Sequence, residues 1–237
     1  MRVIGRIKGK ITDMKLPMLH NADELEKLVE EIGFLPFFKN EIKGYSVEEC
    51  TPAGYWFVDG VDGPWEWKGQ IASRRKVAYA KLFDKKAGYV SREWYPELAN
   101  YRRNGQDFED RYREGLSSYK DKELIDILRK KGSCLSVELK RLLNYGREGN
   151  SGFETAVTRL QMQTYITVQD FEYKLNRFGQ PYGWGIARYA ASGDWLGEDL
   201  VTASYDLDPY DSKEYIKKHL KSLLPQASEE QIEKLIR

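Results

Sequence analysis

Some residues of this 237-residue chain have types and spacings that suit chemistry. Trp65-Glu66-Trp67 follows a Gly-Pro turn and precedes Arg74-Arg75-Lys76. With Asp62, Arg92 and Glu93, this group can line a polar, aromatic cleft. A carboxylate such as Glu66, held against tryptophan, has its pKa raised by desolvation and then serves as an acid or base. The competing reading is plain packing, with Trp65 and Trp67 in the core and the carboxylates satisfied by Arg74 and Arg92. Further along, Thr155, Thr158 and Arg159 share the polar side of a helical stretch. Arginine reads guanine bidentately, and threonine contacts phosphate or a thymine methyl. An ordinary solvated helix face has the same pattern. Lys174, Arg177 and Arg188 alternate with Tyr173, Phe178, Tyr182 and Trp184. Cations interleaved with aromatics suit phosphate contact and base stacking, and equally suit an aromatic ladder that stiffens a sheet.

These groups need elements to position them. Asn21 reads as the N-cap of a helix, with Leu25, Leu28, Val29 and Ile32 at helical spacing and Gly33 as its stop. Gln70 to Ala80 reads as a helix, Ala87 to Ser91 as a short strand, and Glu93 to Arg103 as a helix with Pro96 in its first turn. Residues 104–118 are polar and contain glycine, which suits a connector. Lys122 to Lys131 is helical and ends at Gly132, and Ser136 caps a short helix that stops near Tyr145. A third helical run places Phe153, Val157, Leu160 and Thr164 near one stripe. Thr167 to Leu175 and Tyr182 to Tyr189 then form two strands around a turn. The tail reads as two helices, one capped by Ser212 and one opened by a capping box at Ser228.

Three helices followed by a hairpin is the order of a winged helix. The predicted fold class is therefore α+β, with a winged helix over residues 116–195. An aromatic-rich α+β unit precedes it over residues 1–115, with a second, degenerate winged helix as the alternative there. A helical tail covers residues 196–237. In a winged helix the third helix enters a major groove and the hairpin touches backbone or minor groove, so the expected partner is double-stranded DNA. A small α+β lobe with no nucleic-acid role is the competing architecture.

Composition narrows the field. The chain has 38 Lys+Arg against 37 Asp+Glu, a net charge of +1, which weakens an account based on a uniformly basic surface and leaves local patches open. Basic stretches at Arg2–Lys15, Arg74–Lys86 and Arg129–Arg141 are offset by acidic residues near Asn21–Glu49 and Asp206–Asp211. No apolar run reaches the roughly 18 residues of a membrane span, and the N-terminal stretch has no apolar signal core. Cys50 and Cys134 cannot build a disulfide scaffold. A cytoplasmic protein with no membrane partner is expected. His20 and His219 are the only histidines, which disfavours a histidine-rich metal site. P-loop, GxGxxG, CxxC and GxSxG runs are absent, so no cofactor and no metal are expected.

Residues 135–143 and 152–166 resemble the second and third helices of AlkZ/YcaQ-type winged-helix proteins, and residues 86–96 are similar to a segment between that family's winged-helix units. The resemblance covers residues 65–190. It implies tandem winged helices and a DNA glycosylase that hydrolyses the N-glycosidic bond of alkylated or crosslinked DNA. It also implies a role for Gln161-Met162-Gln163, which matches the family's Gln–apolar–Gln motif for positioning the attacking water. In the family that motif belongs to the N-terminal unit, whereas here it ends the third helix of the C-terminal one. Amides two residues apart on a helix point about 200° apart, so these two converge only if the helix ends between them. Glu66, Gln161 and Gln163 are thus the catalytic candidates. The alternatives are a non-enzymatic winged-helix regulator or protein-interaction module, and a small-molecule-binding protein using the Trp-rich cleft.

Overall fold

The computed structural model describes residues 16–58, 60–146, 149–179 and 181–237, without the side chains of Pro181, Tyr182 and Trp184. The basic stretch Arg2–Lys15 lies outside the described residues. Helix α1 (Ala22–Ile32) starts where the Asn21 side chain accepts the Glu24 N–H at 2.8 Å, and it stops at Gly33, whose φ is 84°. It leads into β1 (Phe34–Pro36). Helix α2 (Pro64–Ser73), β2 (Val77–Phe83), β3 (Lys86–Ser91) and α3 (Tyr95–Arg103) follow. Next come α4 (Phe108–Arg113), α5 (Tyr119–Lys131), β4 (Cys134–Leu135), α6 (Ser136–Leu142) and α7 (Phe153–Met162). Strands β5 (Ile166–Leu175) and β6 (Pro181–Ala191) form a hairpin, and α8 (Ser192–Leu196), α9 (Glu198–Val201), α10 (Pro209–Leu223) and α11 (Glu229–Ile236) close the chain.

The expected mixture of helix and sheet is present, and its organising element is one open antiparallel sheet in the order β1-β3-β2-β5-β6-β4. The β2–β5 pairing, at Tyr79 and Val168, joins strands that lie far apart in sequence. Helix α2 packs on β5, α7 on β2, and α10 on α3.

Four local expectations are corrected. The helix expected over Gln70 to Ala80 ends at Ser73, and Val77–Phe83 is a strand. Arg75 takes a left-handed φ of 62°, which no helix interior accommodates. The apolar run after it is buried on nearly every residue, as befits a strand flanked by neighbours on both sides. The connector at 104–118 contains α4, whose cap Asp107 accepts the Asp110 N–H at 2.8 Å. Helix α10 is capped by Asp208, not Ser212. Ser212 is buried on α10 and bonds Glu97 at 2.6 Å and Asn100 at 2.9 Å, which ties the tail to α3. Finally, α7 stops at Met162, and Thr164 turns left-handed at φ 64°.

The tail also carries a pH-sensitive contact. The His219 ring stacks on Trp94, with centroids 4.0 Å apart, and its Nε2–H donates to the Ile32 carbonyl at 2.9 Å. Burial holds its pKa below the usual histidine range, so the neutral ring belongs to the folded state. The unfolded chain then takes up the proton first as pH falls, and stability drops below about pH 6.5. Urea unfolding between pH 5 and 7.5 checks this, with the expectation that His219→Gln removes most of the slope over the upper part of that window.

Candidate nucleic-acid interface

The β5–β6 hairpin closes through a turn that carries the right residues. Register runs from Ile166 opposite Ala191 to Leu175 opposite Pro181, with irregularities between Val168 and Asp170 and between Glu172 and Lys174. At the turn, the Asn176 side chain accepts the Phe178 N–H at 2.9 Å, and its carbonyl accepts the Gly179 N–H at 3.0 Å. Gly179 supplies the positive φ of 75°. This tip exposes Lys174, Leu175, Arg177 and Phe178, with Leu175 63% and Phe178 71% accessible. The Arg177 guanidinium lies 4.7 Å from the Phe178 ring centroid. Arg188 is elsewhere, bonded to Glu172 at 2.8 Å across the hairpin, and there it braces the strands. Tyr182 and Trp184 lie on β6, but their side chains fall outside those described.

Helix α7 is committed inward more than its sequence suggests. Thr155 is exposed. Thr158 accepts from Lys81 Nζ at 3.2 Å. Arg159 grips Asp121 with two bonds, 3.1 and 2.6 Å, and the Asp121 side chain is 2% exposed. That carboxylate also accepts from the Ser118 hydroxyl at 2.8 Å. A guanidinium so held joins α7 to α5 and is not presented as a base reader. Glu154, at the start of the helix, is paired with Lys140 at 2.9 Å.

The helix does end between Gln161 and Gln163, but the two amides do not converge on an open site. Gln161 is buried, accepts the Lys81 N–H at 2.9 Å and donates to Val157 O at 3.3 Å. It pins α7 to β2. Gln163 sits half-buried at the helix end.

The aromatic cleft is divided rather than shared. Trp67 is buried and its Nε1–H donates to Asp62 O at 2.9 Å, while half-buried Trp65 meets Phe37 edge-on. Glu66 is exposed, not pressed into an apolar pocket, and accepts the Gly63 N–H at 3.0 Å at the start of α2. Arg74 leaves for α1, where it pairs with Asp23 at 2.6 Å and Glu26 at 3.6 Å. Arg92 donates to Arg75 O at 3.0 Å. The sequence reading missed Lys68, which is 2% exposed. Its ammonium sits 3.9 Å from the Trp65 ring centroid and 4.5 Å from that of Phe171, and donates to Trp65 O at 2.6 Å. Burial lowers its pKa to about 8, against the nearby charge of Glu66. The signal was present as a lysine three residues after Trp65, one helical turn on.

A cavity of about 310 Å³ lies elsewhere, lined by Ile42, Phe83 and Leu235 together with Lys39, Lys86, Lys234, Glu41 and Asp84. None of the predicted cleft residues lines it. Among the described residues, no group of three or more histidine, cysteine or acidic side chains is placed to hold a metal ion, and no helix is long and apolar enough to cross a membrane.

A family model described as AlkZ related matches residues 19–237. No curated protein and no solved structure matches the chain. The geometry of Arg159 itself makes a separable prediction. Arg159→Ala strips a buried carboxylate of its cation and should cost about 2 kcal/mol in urea unfolding, discounted for the partial exposure of the arginine. In a titration against duplex DNA, the same variant should leave the salt dependence of binding unchanged.

Proposed function

The chain belongs to the AlkZ-related family, and on that footing we propose that it binds double-stranded DNA through a winged helix and acts in the repair of alkylated or crosslinked bases. In this reading residues 116–195 are the winged-helix unit, with α5, α6 and α7 as its helices and β5–β6 as its wing. Residues 1–115 form the preceding α+β unit and 196–237 the helical tail that docks on it. The observation that carries the proposal is the hairpin tip. There, two cations flank two large apolar side chains that the fold leaves in water. Lysine and arginine suit phosphates, and an exposed leucine and phenylalanine suit insertion against a base step in the minor groove. Base excision also requires a water, a group to orient it and room for an extruded base. Glu66 and Gln163 are the candidates still open to solvent.

A second reading has its own support. Gln161 has both ends of its amide bonded within the fold, and Glu66 is used at a helix start. Both facts favour a winged-helix module that binds DNA without cleaving it.

One series of measurements separates these. Wild-type protein should shift a labelled duplex at low salt, with affinity falling steeply as salt rises. Phe178→Ala with Arg177→Ala should weaken that shift by about tenfold or more, the scale of one lost stack and one lost phosphate contact. Abasic sites left in alkylated or crosslinked duplex, and lost in Glu66→Gln or Gln163→Ala, would establish excision. Binding without abasic sites would select the non-enzymatic module, and no shift at low salt would remove both.

A further inference from the structure

The run Arg74-Arg75-Lys76 divides its charges unevenly. Arg74 and Lys76 are neutralised by Asp23 and Glu26 of α1. Arg75 has no carboxylate within ion-pair distance among the described residues. Its guanidinium lies over Trp195 instead, 3.8 Å from the ring centroid. Arg92 is likewise free of a carboxylate among the described residues, and its one described hydrogen bond runs to the Arg75 carbonyl at 3.0 Å. One cation without an acidic partner therefore lies on a half-buried tryptophan, and a second is bonded to the first one's backbone carbonyl.

The backbone is strained to hold this arrangement. Arg75 has a φ of 62°, a conformation costly for a long side chain and persistent only where the surroundings enforce it. The Arg92 bond restrains the peptide that follows. Arg75 is exposed, so the guanidinium covers the indole with one face and offers the other to solvent. That outer face is planar and cationic, and Arg92 is anchored on the Arg75 backbone with further N–H groups to offer. A ligand that reaches both must join a flat π-system to an anion. A nucleotide does so, with the base stacked on the guanidinium and the phosphate bonded to the second arginine. A base inside a duplex has both faces covered by its neighbours, so only an unpaired base fits.

We propose that Arg75, backed by Trp195 and flanked by Arg92, is a stacking platform for one unpaired nucleotide. The proposal rests on the nucleic-acid reading above and extends it to a second contact, remote in sequence from the hairpin tip.

A short single-stranded oligonucleotide carrying 2-aminopurine tests the platform alone, because stacking quenches that base. Wild-type protein should quench it. Arg75→Gly should weaken binding by about tenfold and abolish the quench, as loss of one stacking partner predicts. Arg92→Gln should weaken binding while reducing its salt dependence by about one phosphate contact. Arg75→Gly is a fold-safe variant, since glycine accepts the observed φ, and its thermal midpoint should be no lower than that of the wild type. No quench by the wild type, or a quench unchanged in Arg75→Gly, overturns the platform. The duplex shift judges the other reading independently. A shift without quenching leaves duplex binding and removes the platform, and quenching without a shift does the reverse.

Discussion

The passage from α7 into the hairpin depends on the peptide carbonyl of Thr164. Thr164 is fully buried and left-handed, a conformation that a β-branched residue adopts only under constraint. It stands just after the end of α7, where a glycine would be the ordinary choice. The Tyr165 N–H reaches back to Leu160 O at 3.0 Å, and the Thr164 N–H to Gln161 O at 2.9 Å, which closes the helix. The Thr164 carbonyl then accepts from Tyr95 at 3.0 Å, Arg103 at 2.6 Å and Ser192 at 2.6 Å. Three donors on one buried acceptor fix the reversal that glycine would have made easy. The same donors come from α3 and α8, so the hairpin's base is set by helices before and after it in sequence.

Helix α3 extends this role. Arg102, next to Arg103, donates to Met162 O at 2.9 Å and Ile236 O at 3.0 Å, and also to Leu82 O. Burial lowers its pKa to about 10, so it remains charged at neutral pH. It thereby terminates α7, β2 and α11 at one point. On the same helix Glu97 accepts from the Ser204 and Ser212 hydroxyls of the tail, and the Asn100 amide donates to Leu207 O and the Ser212 hydroxyl. A buried polar group that loses its partner costs more than the bond returns when made, so such a network specifies one arrangement of helices.

What was legible in the sequence follows from the range of the forces involved. The cap at Asn21, the stop at Gly33, the capping box at Ser228 and the hairpin turn at Asn176 are set by residues within four positions of each other, and all lie where the spacing indicates. Val77–Phe83 misled because an interior strand, buried on both faces, lacks the alternation of a half-exposed one. Ser212 misled because serine caps a helix and also serves inside one when a buried carboxylate waits across the interface. The site was less legible than the fold. Residue type shows that arginine at 159 or 188 can read or grip a nucleic acid. It does not show that Asp121 and Glu172 hold those arginines already.

That partition also explains why near-zero net charge says so little about partners. A charge matters to a ligand only after the fold has taken its share. Arg74, Arg159 and Arg188 are paired with carboxylates, Arg102 and Arg103 end helices and strands, and Lys68 lies between two rings. Each cation held this way has its charge committed within the fold. Lys174 and Arg177 at the hairpin tip, Arg75 over Trp195, and Arg92 on the Arg75 carbonyl are cations without a described carboxylate partner. A recognition surface built from such residues needs no excess of basic residues overall, because its field arises where acidic neighbours are missing.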